Sequence, residues 1–139
     1  MAQIKGLDKL LKKLNKIDKN LPRKIEQVLD DAARKMRNTA DQEMRKVSPG
    51  IVYGNHQASK PGDYPNVDQS TLVNSLFAEL LKGKLTAKFG SRGVPYARAL
   101  EFGTSRMAAR PWLKPSLDKH KEDIPKEIDR IIKEVLKNG

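Results

Sequence analysis

The sequence of 139 residues contains no cysteine. This absence excludes disulfide bonds, thiolate metal ligands and cysteine nucleophiles, and it is compatible with folding in a reducing cytoplasm. Histidine is almost as scarce, with two residues. His56 has no carboxylate at ligand spacing, and the acidic residues around His120 are interleaved with lysines. We therefore expect a solvated helix surface at His120 and no metal site.

Aromatic residues and long apolar stretches are also rare. Only 5% of the residues are aromatic and 37% are hydrophobic, so we expect a single domain over residues 1–139 with a modest, mainly aliphatic core. No apolar run approaches the length that crosses a membrane. Residues 1–14 lack the continuous apolar stretch of a signal peptide. We therefore expect no membrane partner.

Recognisable catalytic patterns are missing as well. The sequence has no Gly-x-Ser-x-Gly elbow, no phosphate-binding loop and no Gly-x-Gly-x-x-Gly fingerprint. The adjacent acids Asp30 and Asp31 would point in different directions on a helix, so they could not easily share a proton. We predict no enzyme activity, no catalytic residue and no cofactor.

Positive charge is what the sequence has in excess. Lys and Arg number 28 against 17 Asp and Glu, for a formal net charge of +11, which permits binding to nucleic acid, an anionic membrane or an acidic protein. Residues 1–47 hold thirteen basic and seven acidic residues and could track phosphates. No reader motif is present, and aromatic residues are not interleaved with the basic ones. A solvated face on an amphipathic helix explains the same pattern.

Apolar residues recur every three or four positions in the N-terminal third, which predicts two amphipathic helices. The second helix would run from Pro22 to Val47, with Pro22 in its first turn and Ser48-Pro49-Gly50 ending it. Its apolar stripe consists of Ile25, Val28, Leu29, Ala32, Met36, Ala40, Met44 and Val47. The first helix would carry Leu7, Leu10, Leu11, Leu14 and Ile17.

Residues 48–70 predict a long, flexible loop, because three prolines and three glycines interrupt any regular pattern. Val52, Tyr53 and Tyr64 give this loop apolar surface. We therefore expect it to be mobile in the free subunit and ordered when it docks on a partner.

The rest of the chain predicts a β-hairpin and further helices. Residues 72–91 alternate as two strands around a Lys82-Gly83 turn, although a helical start near Thr71 also fits. Residues 94–102 fit a short helix or strand, and Pro125 should kink or split the C-terminal helix. The expected fold class is α+β, with two N-terminal helices and a C-terminal helix packed on a small antiparallel sheet built around the hairpin.

Two motif segments, residues 58–76 and 96–117, resemble a known family. The first reads Ala58-Ser59-Lys60-Pro61-Gly62-Asp63-Tyr64-Pro65 and continues through Thr71-Leu72 to Ser75-Leu76. The second reads Tyr96-Ala97-Arg98-Ala99-Leu100-Glu101-Phe102-Gly103-Thr104, followed by Arg110-Pro111-Trp112-Leu113-Lys114-Pro115-Ser116. Together with the amphipathic N-terminal half and the terminal helix, they are similar to the tailed-bacteriophage head–tail joining or tail-completion family, typified by the tenth gene product of a lambda-like phage.

The chain departs from that family's pattern at two places. Gln69-Ser70-Thr71 stands where the family usually shows Thr-Gly before the leucine, so the loop contacts of the family are not carried over there. Ser116 replaces a common alanine, which is a conservative change. The resemblance otherwise spans most of the chain.

The resemblance implies a structural virion protein that joins the DNA-filled head to the tail. Copies would form a closed ring, expected to be sixfold, with a neck or connector protein on one face and the tail-tube protein on the other. Genomic DNA would pass through the channel without sequence-specific binding. The protein would lie in the neck or tail region of the virion, and in the host cytoplasm during assembly. The alternative is a basic, prophage-encoded DNA-binding accessory protein, which strong duplex binding without a ring would favour.

The candidate interface or structural-motif residues all come from the two motif segments. We expect Gly103 to take a positive φ and end its element, and Trp112 to anchor the second segment in the core. Thr104 can bind nearby backbone through its hydroxyl, and Glu101 could pair with Arg110. The full set is Ser59, Pro61, Gly62, Tyr64, Pro65, Tyr96, Glu101, Phe102, Gly103, Thr104, Arg110, Pro111, Trp112 and Pro115.

Overall fold

The computed structural model describes residues 18–53, 56–67 and 71–138, together with four lysines at positions 9, 12, 13 and 16. The apolar stripe predicted for the first helix, from Leu7 to Ile17, lies outside the described residues. The described ranges hold five α-helices and two antiparallel strand pairs, which confirms the α+β class. No helix in these ranges is long and apolar enough to span a lipid bilayer.

Helix α1, Leu21–Arg45, is the element on which most others pack. Its apolar residues form one buried face, and Pro22 occupies the first turn, where a missing N–H is tolerated. The predicted end at Val47 is wrong, because the helix ends two residues earlier and Val47 is 74% exposed. The chain leaves the helix towards Asn66, whose side chain accepts from Ser48 N and donates to Ser48 O, both at 2.8 Å.

The predicted hairpin is present, and so is the helical start that competed with it. Thr71–Asn74 form α2, after which β3, Leu76–Leu81, pairs antiparallel with β4, Thr86–Ser91. The turn is longer than the predicted Lys82-Gly83 pair, because Leu85 adopts a positive φ of 49° and lies outside the strand. Its side chain packs instead against the cluster that joins the first and last helices.

A second antiparallel pair lies inside the segment predicted as a loop. Strand β1, Val52–Tyr53, pairs with β2, His56–Gln57, so the described residues form two small sheets and not the single one expected. The Asn66 side chain donates to Gln57 O at 2.8 Å, and Ser48 Oγ donates to Asp63 at 2.7 Å. The described part of the loop is therefore hydrogen-bonded within its own subunit. The mobility expected for residues 48–70 stays a prediction.

The C-terminal part consists of three helices. Helix α3 is Tyr96–Phe102, α4 is Leu113–His120 and α5 is Asp123–Asn138. The predicted split of the terminal helix by Pro125 is confirmed. In a continuous helix the Pro125 ring would clash with the carbonyl of Lys121, whereas in the first turn of α5 proline is tolerated.

The core lies along α1 in two clusters. The first core cluster joins the start of α1 to the end of α5, with Leu85 packed against it, and its buried members are Leu21, Ile25, Ile131 and Val135. The second core cluster joins the end of α1 to α2, α3 and the residue before α4, and it consists of Ala40, Met44, Leu72, Val73, Ala97 and Trp112. The two ends of α1 therefore carry different parts of the molecule.

We expect Ile25→Ala to lower the free energy of unfolding by about 2–5 kcal/mol, because truncation of a buried isoleucine leaves a cavity. Ile25 is 1% exposed, whereas Leu136 on α5 is 54% exposed. Leu136→Ala is therefore the control and should change stability by less than about 0.5 kcal/mol. Urea unfolding of both variants measures the difference. Equal losses of stability would contradict the first core cluster.

Candidate interface site

The two motif segments meet in the structure although they are far apart in sequence. Arg110 Nε donates a hydrogen bond to Ser59 O at 2.9 Å across 51 positions. Gly62 N donates to Ala109 O, also at 2.9 Å. The loop from the first segment is therefore fastened to the stretch that precedes α4.

Tyr64 forms a further link between the segments. Its hydroxyl lies 3.1 Å from Ser116 Oγ, and the Lys119 ammonium lies 5.3 Å from its ring centroid. The ring also packs against the second core cluster. Tyr64 is thus half-buried in its own subunit, and its role as docking surface stays a prediction.

The carboxylate of Glu101 caps the first turn of α4. Its Oε2 atom accepts hydrogen bonds from Trp112 N at 2.7 Å and Leu113 N at 2.8 Å, and its Oε1 atom accepts one from Lys114 N at 3.0 Å. These N–H groups have no partner inside a helix, and the helix dipole favours a negative charge beside them. The predicted pair between Glu101 and Arg110 is wrong, because the backbone donors take the carboxylate and Arg110 binds carbonyl oxygens.

Trp112 is the core anchor that the sequence predicts. The residue is 4% exposed, and its indole Nε1 donates to Ala97 O at 3.1 Å. Its carbonyl oxygen accepts a hydrogen bond from Ser116 Oγ at 2.6 Å. The tryptophan therefore ties α3 and α4 together by packing and by polar contacts at once.

Gly103 ends α3 with a φ of 74°, as predicted. A Cβ there would lie 2.9 Å from Ala109 N and 3.0 Å from Met107 O, so the close approach requires glycine as much as the φ does. Thr104 Oγ1 accepts a hydrogen bond from Arg106 N at 3.2 Å, which confirms the predicted role of the hydroxyl. The tight turn that follows brings the chain back to the start of α4.

The remaining candidates divide between buried and exposed positions. Ser59 is 1% exposed, and among the described residues its Oγ finds no hydrogen-bond partner. Tyr96 and Phe102 are 44% and 72% exposed, and Arg98 lies over the Phe102 ring at 5.9 Å. Pro65 is buried, Pro111 and Pro115 are half-buried, and Pro61, Gly62 and Thr104 are exposed.

Four apolar side chains in and before β1 are exposed, and we call them the apolar ridge. They are Val47 at 74%, Ile51 at 67%, Val52 at 63% and Tyr53 at 62%. Val52 and Tyr53 are adjacent in a strand, so their side chains point to opposite faces. Because both are exposed, the described part of the chain leaves both faces of β1 largely uncovered.

The sequence pattern predicts only half of this ridge. It indicates Val52 and Tyr53 as apolar docking surface, but it does not indicate Val47 and Ile51. Val47 continues the helical period of α1, and the pattern therefore places it on the buried stripe. The run of β-forming residues 51–53 directly after Gly50 is the signal that could have indicated a strand.

Two cavities border the site. The more apolar one, of about 380 Å³, lies between the motif segments, and its lining includes Leu72, Tyr96, Leu100 and Met107. The other is an open cleft of about 620 Å³ between the end of α1, the loop and α4. The helices contribute two acids to the lining of this open cleft, Glu43 and Asp118. Each of them already pairs with a lysine, so neither offers an unpaired charge to a ligand.

Asp118 illustrates how the charges of the open cleft cancel. Its carboxylate binds Lys114 and Lys121, each at 2.9 Å. The hydrogen bond from Lys114, followed by that from Lys121, holds the pKa of Asp118 below its usual value. Glu43 is held in the same way, since the hydrogen bond from Lys46 lowers its pKa.

The histidines do not form a metal centre in the described part of the chain. No group of three or more potential ligands is found among the described residues. His120 is half-buried, and its Nε2 lies 2.6 Å from Thr39 Oγ1. The charged residues Lys119, Lys121, Glu122 and Asp123 around His120 are exposed, as expected for a solvated helix surface, whereas the packing of α4 on α1 covers part of the His120 ring itself.

Comparison with protein-family models, with curated proteins and with solved structures found no match to this chain. A functional proposal therefore depends on the chain's own residues and contacts.

We expect Glu101→Gln to destabilise the subunit by about 1–3 kcal/mol, because the amide keeps one acceptor oxygen but faces the helix N–H groups with a donor. Glu79→Gln is the control. Glu79 pairs with Arg92 at 2.6 Å with its side chain 45% exposed, so its replacement should cost less than about 1 kcal/mol. Thermal unfolding followed by the fluorescence of the single tryptophan measures both. Equal shifts would contradict the capping role.

Proposed function

We propose that this chain is a structural subunit of a tailed bacteriophage that joins the DNA-filled head to the tail. In this proposal copies of the subunit close into a sixfold ring in the neck or tail region of the virion, after assembly in the host cytoplasm. One face of the ring contacts a neck or connector protein and the other contacts the tail-tube protein. Genomic DNA passes through the channel without sequence-specific binding. The work is mechanical and needs no catalytic residue.

The apolar ridge is the observation that carries this proposal. Its four side chains are between 62% and 74% exposed within residues 47–53, and exposed apolar side chains that are grouped in this way commonly mark a surface for protein partners. Burial of such a patch contributes about 25 cal/mol per Å² of apolar area. A subunit that binds its neighbours is the class of protein that this surface fits best.

The contacts between the two motif segments also support the proposal, because they hold the chain next to the ridge in a fixed position. The Arg110–Ser59 and Gly62–Ala109 hydrogen bonds hold the loop that follows the ridge against the approach to α4, and Glu101 fixes that helix in turn. A base that is already ordered lowers the entropy that a ring contact must overcome. The residues that carry the family resemblance thus serve mostly to position the interface.

The apolar cavity between the motif segments supplies a complementary surface. A closed ring needs heterologous contacts, in which one patch meets a different patch on the neighbour. In our proposal the ridge of one subunit enters the cavity beside Tyr96 of the next. Tyr96 is 44% exposed at the rim of that cavity, so it is accessible to an incoming side chain.

A basic, prophage-encoded DNA-binding accessory protein is the second candidate. The net charge of +11 favours it. Tight duplex binding by a subunit that forms no ring would support this alternative over the first.

Deletion of the gene should leave DNA-filled heads and separate tails that fail to join. Expression of the wild-type chain in trans should restore joining, and Ile51→Ser/Tyr53→Ser should not restore it, because the ridge is then polar. Leu136→Ser, which changes an exposed leucine elsewhere, is the matched control and should restore joining. Electron microscopy of lysates counts the particles. Normal virions from the deletion would refute the proposal.

A disulfide test addresses the contact between neighbours directly, because the chain has no cysteine of its own. We expect a mixture of the single variants Tyr53→Cys and Tyr96→Cys to form a cross-linked dimer under mild oxidation. Tyr53→Cys mixed with Leu136→Cys is the control and should remain monomeric on a non-reducing gel. Cross-linking of Tyr53→Cys with itself alone would indicate a twofold contact and contradict a head-to-tail ring.

A further inference from the structure

One end of the molecule brings together the start of α1, the β3–β4 turn and the end of α5. Leu21 and Ile25 pack with Val135 in the first core cluster, and Leu85 of the turn packs against them. The Glu26 carboxylate accepts a hydrogen bond from Gly83 N, with both oxygens at 3.0 Å. Segments from three parts of the sequence are therefore neighbours here.

Five exposed cations lie at this end, and we call them the basic end. Among the described residues, none of the five has a carboxylate within 4.0 Å, and each is exposed. They come from all three segments: Lys19, Arg23, Lys82, Lys84 and Lys137. Residues 1–17, which lead into this end, add five lysines and one acid to the sequence.

The acids near the basic end are engaged elsewhere. Asp18 binds Lys24 at 2.8 Å, and that hydrogen bond is the main reason why the pKa of Asp18 is lowered. Glu134 binds Arg130 at 2.8 Å, and Glu26 binds the turn backbone. These carboxylates therefore leave the positive charge of the five cations without a direct partner.

Several lysines at the opposite end of α1 pair with acids. There Glu43 is shared between Lys46 at 2.8 Å and Lys119 at 3.3 Å, and Asp118 is bound by two further lysines. Paired charges of this kind attract a polyanion weakly. Exposed cations without a carboxylate partner among the described residues also occur on the motif segments, at Lys60, Arg98 and Arg106, so the basic end is distinguished by the grouping of five such cations where three segments meet.

We propose that the basic end binds the phosphate backbone of duplex DNA, and that it is the surface each subunit presents to the channel of the ring; the inference rests on the proposed function. Flexible lysines suit phosphates, because they act as point charges without reading bases. No aromatic residue occurs in residues 18–30, 81–86 or 126–138, so bases have no stacking platform there. A backbone contact independent of sequence also lets DNA slide.

The test measures the affinity of the purified full chain for a mixed-sequence DNA duplex over a series of salt concentrations. The double variant Lys82→Gln/Lys84→Gln should weaken binding equally for duplexes of unrelated sequence. It should also make the slope of log K against log salt concentration shallower by about 2, because each lysine that no longer neutralises a phosphate reduces the slope by about 1. Lys46→Gln/Lys121→Gln is the matched control, because it removes the same charge from lysines that pair with acids. The control should leave the slope nearly unchanged.

The outcomes separate this inference from the proposed function. Equal effects of the two double variants would overturn the inference that the basic end binds DNA, because binding would then depend on total charge alone. Binding to anionic phospholipid vesicles but not to duplex DNA would overturn it as well. Native mass spectrometry of the same samples reports the ring independently. A ring without the lysine dependence refutes only the basic end, and the lysine dependence without a ring refutes only the head–tail proposal.

Discussion

The buried carboxylate of Glu101 is the constraint on which the rest of the site depends. A charge that is 8% exposed must be compensated, and here three backbone N–H groups at the start of α4 do so. The same contact fixes the angle between α3 and α4, and it holds Trp112 in the second core cluster. The cap therefore connects the start of α4 to the second core cluster, and the loop of the first motif segment is hydrogen-bonded to the stretch just before α4.

The docked loop explains how the molecule can expose so much apolar surface and still keep an ordered shape. Part of the backbone around the ridge is hydrogen-bonded within the subunit, by Asn66 at Ser48 and by the antiparallel pairing of β1 with β2. These bonds hold the ridge residues in place although their side chains are exposed. The exposed area of the ridge is apolar side chain, which favours association with a partner that has an apolar surface of complementary shape.

Helix α1 separates two kinds of surface. The apolar ridge and the open cleft belong to the end near the second core cluster, whereas the basic end lies near the first. In a ring of the proposed kind, contacts between subunits and contacts with DNA would then use different parts of the chain. Since the like charges of neighbouring subunits repel one another, a polyanion in the channel would also favour the closed assembly.

The sequence by itself determined the features that depend on local pattern. The apolar period of α1, the positive φ of Gly103, the break before Pro125 and the two strands of the hairpin all follow from spacing or from the stereochemistry of single residues. Tertiary structure alone decided which partners distant residues found. Glu101 binds the start of α4 and not Arg110, Tyr64 packs against the second core cluster, and Asn66 binds Ser48 just beyond the end of α1. These outcomes result from competition among contacts many residues apart, and periodicity carries no information about that competition.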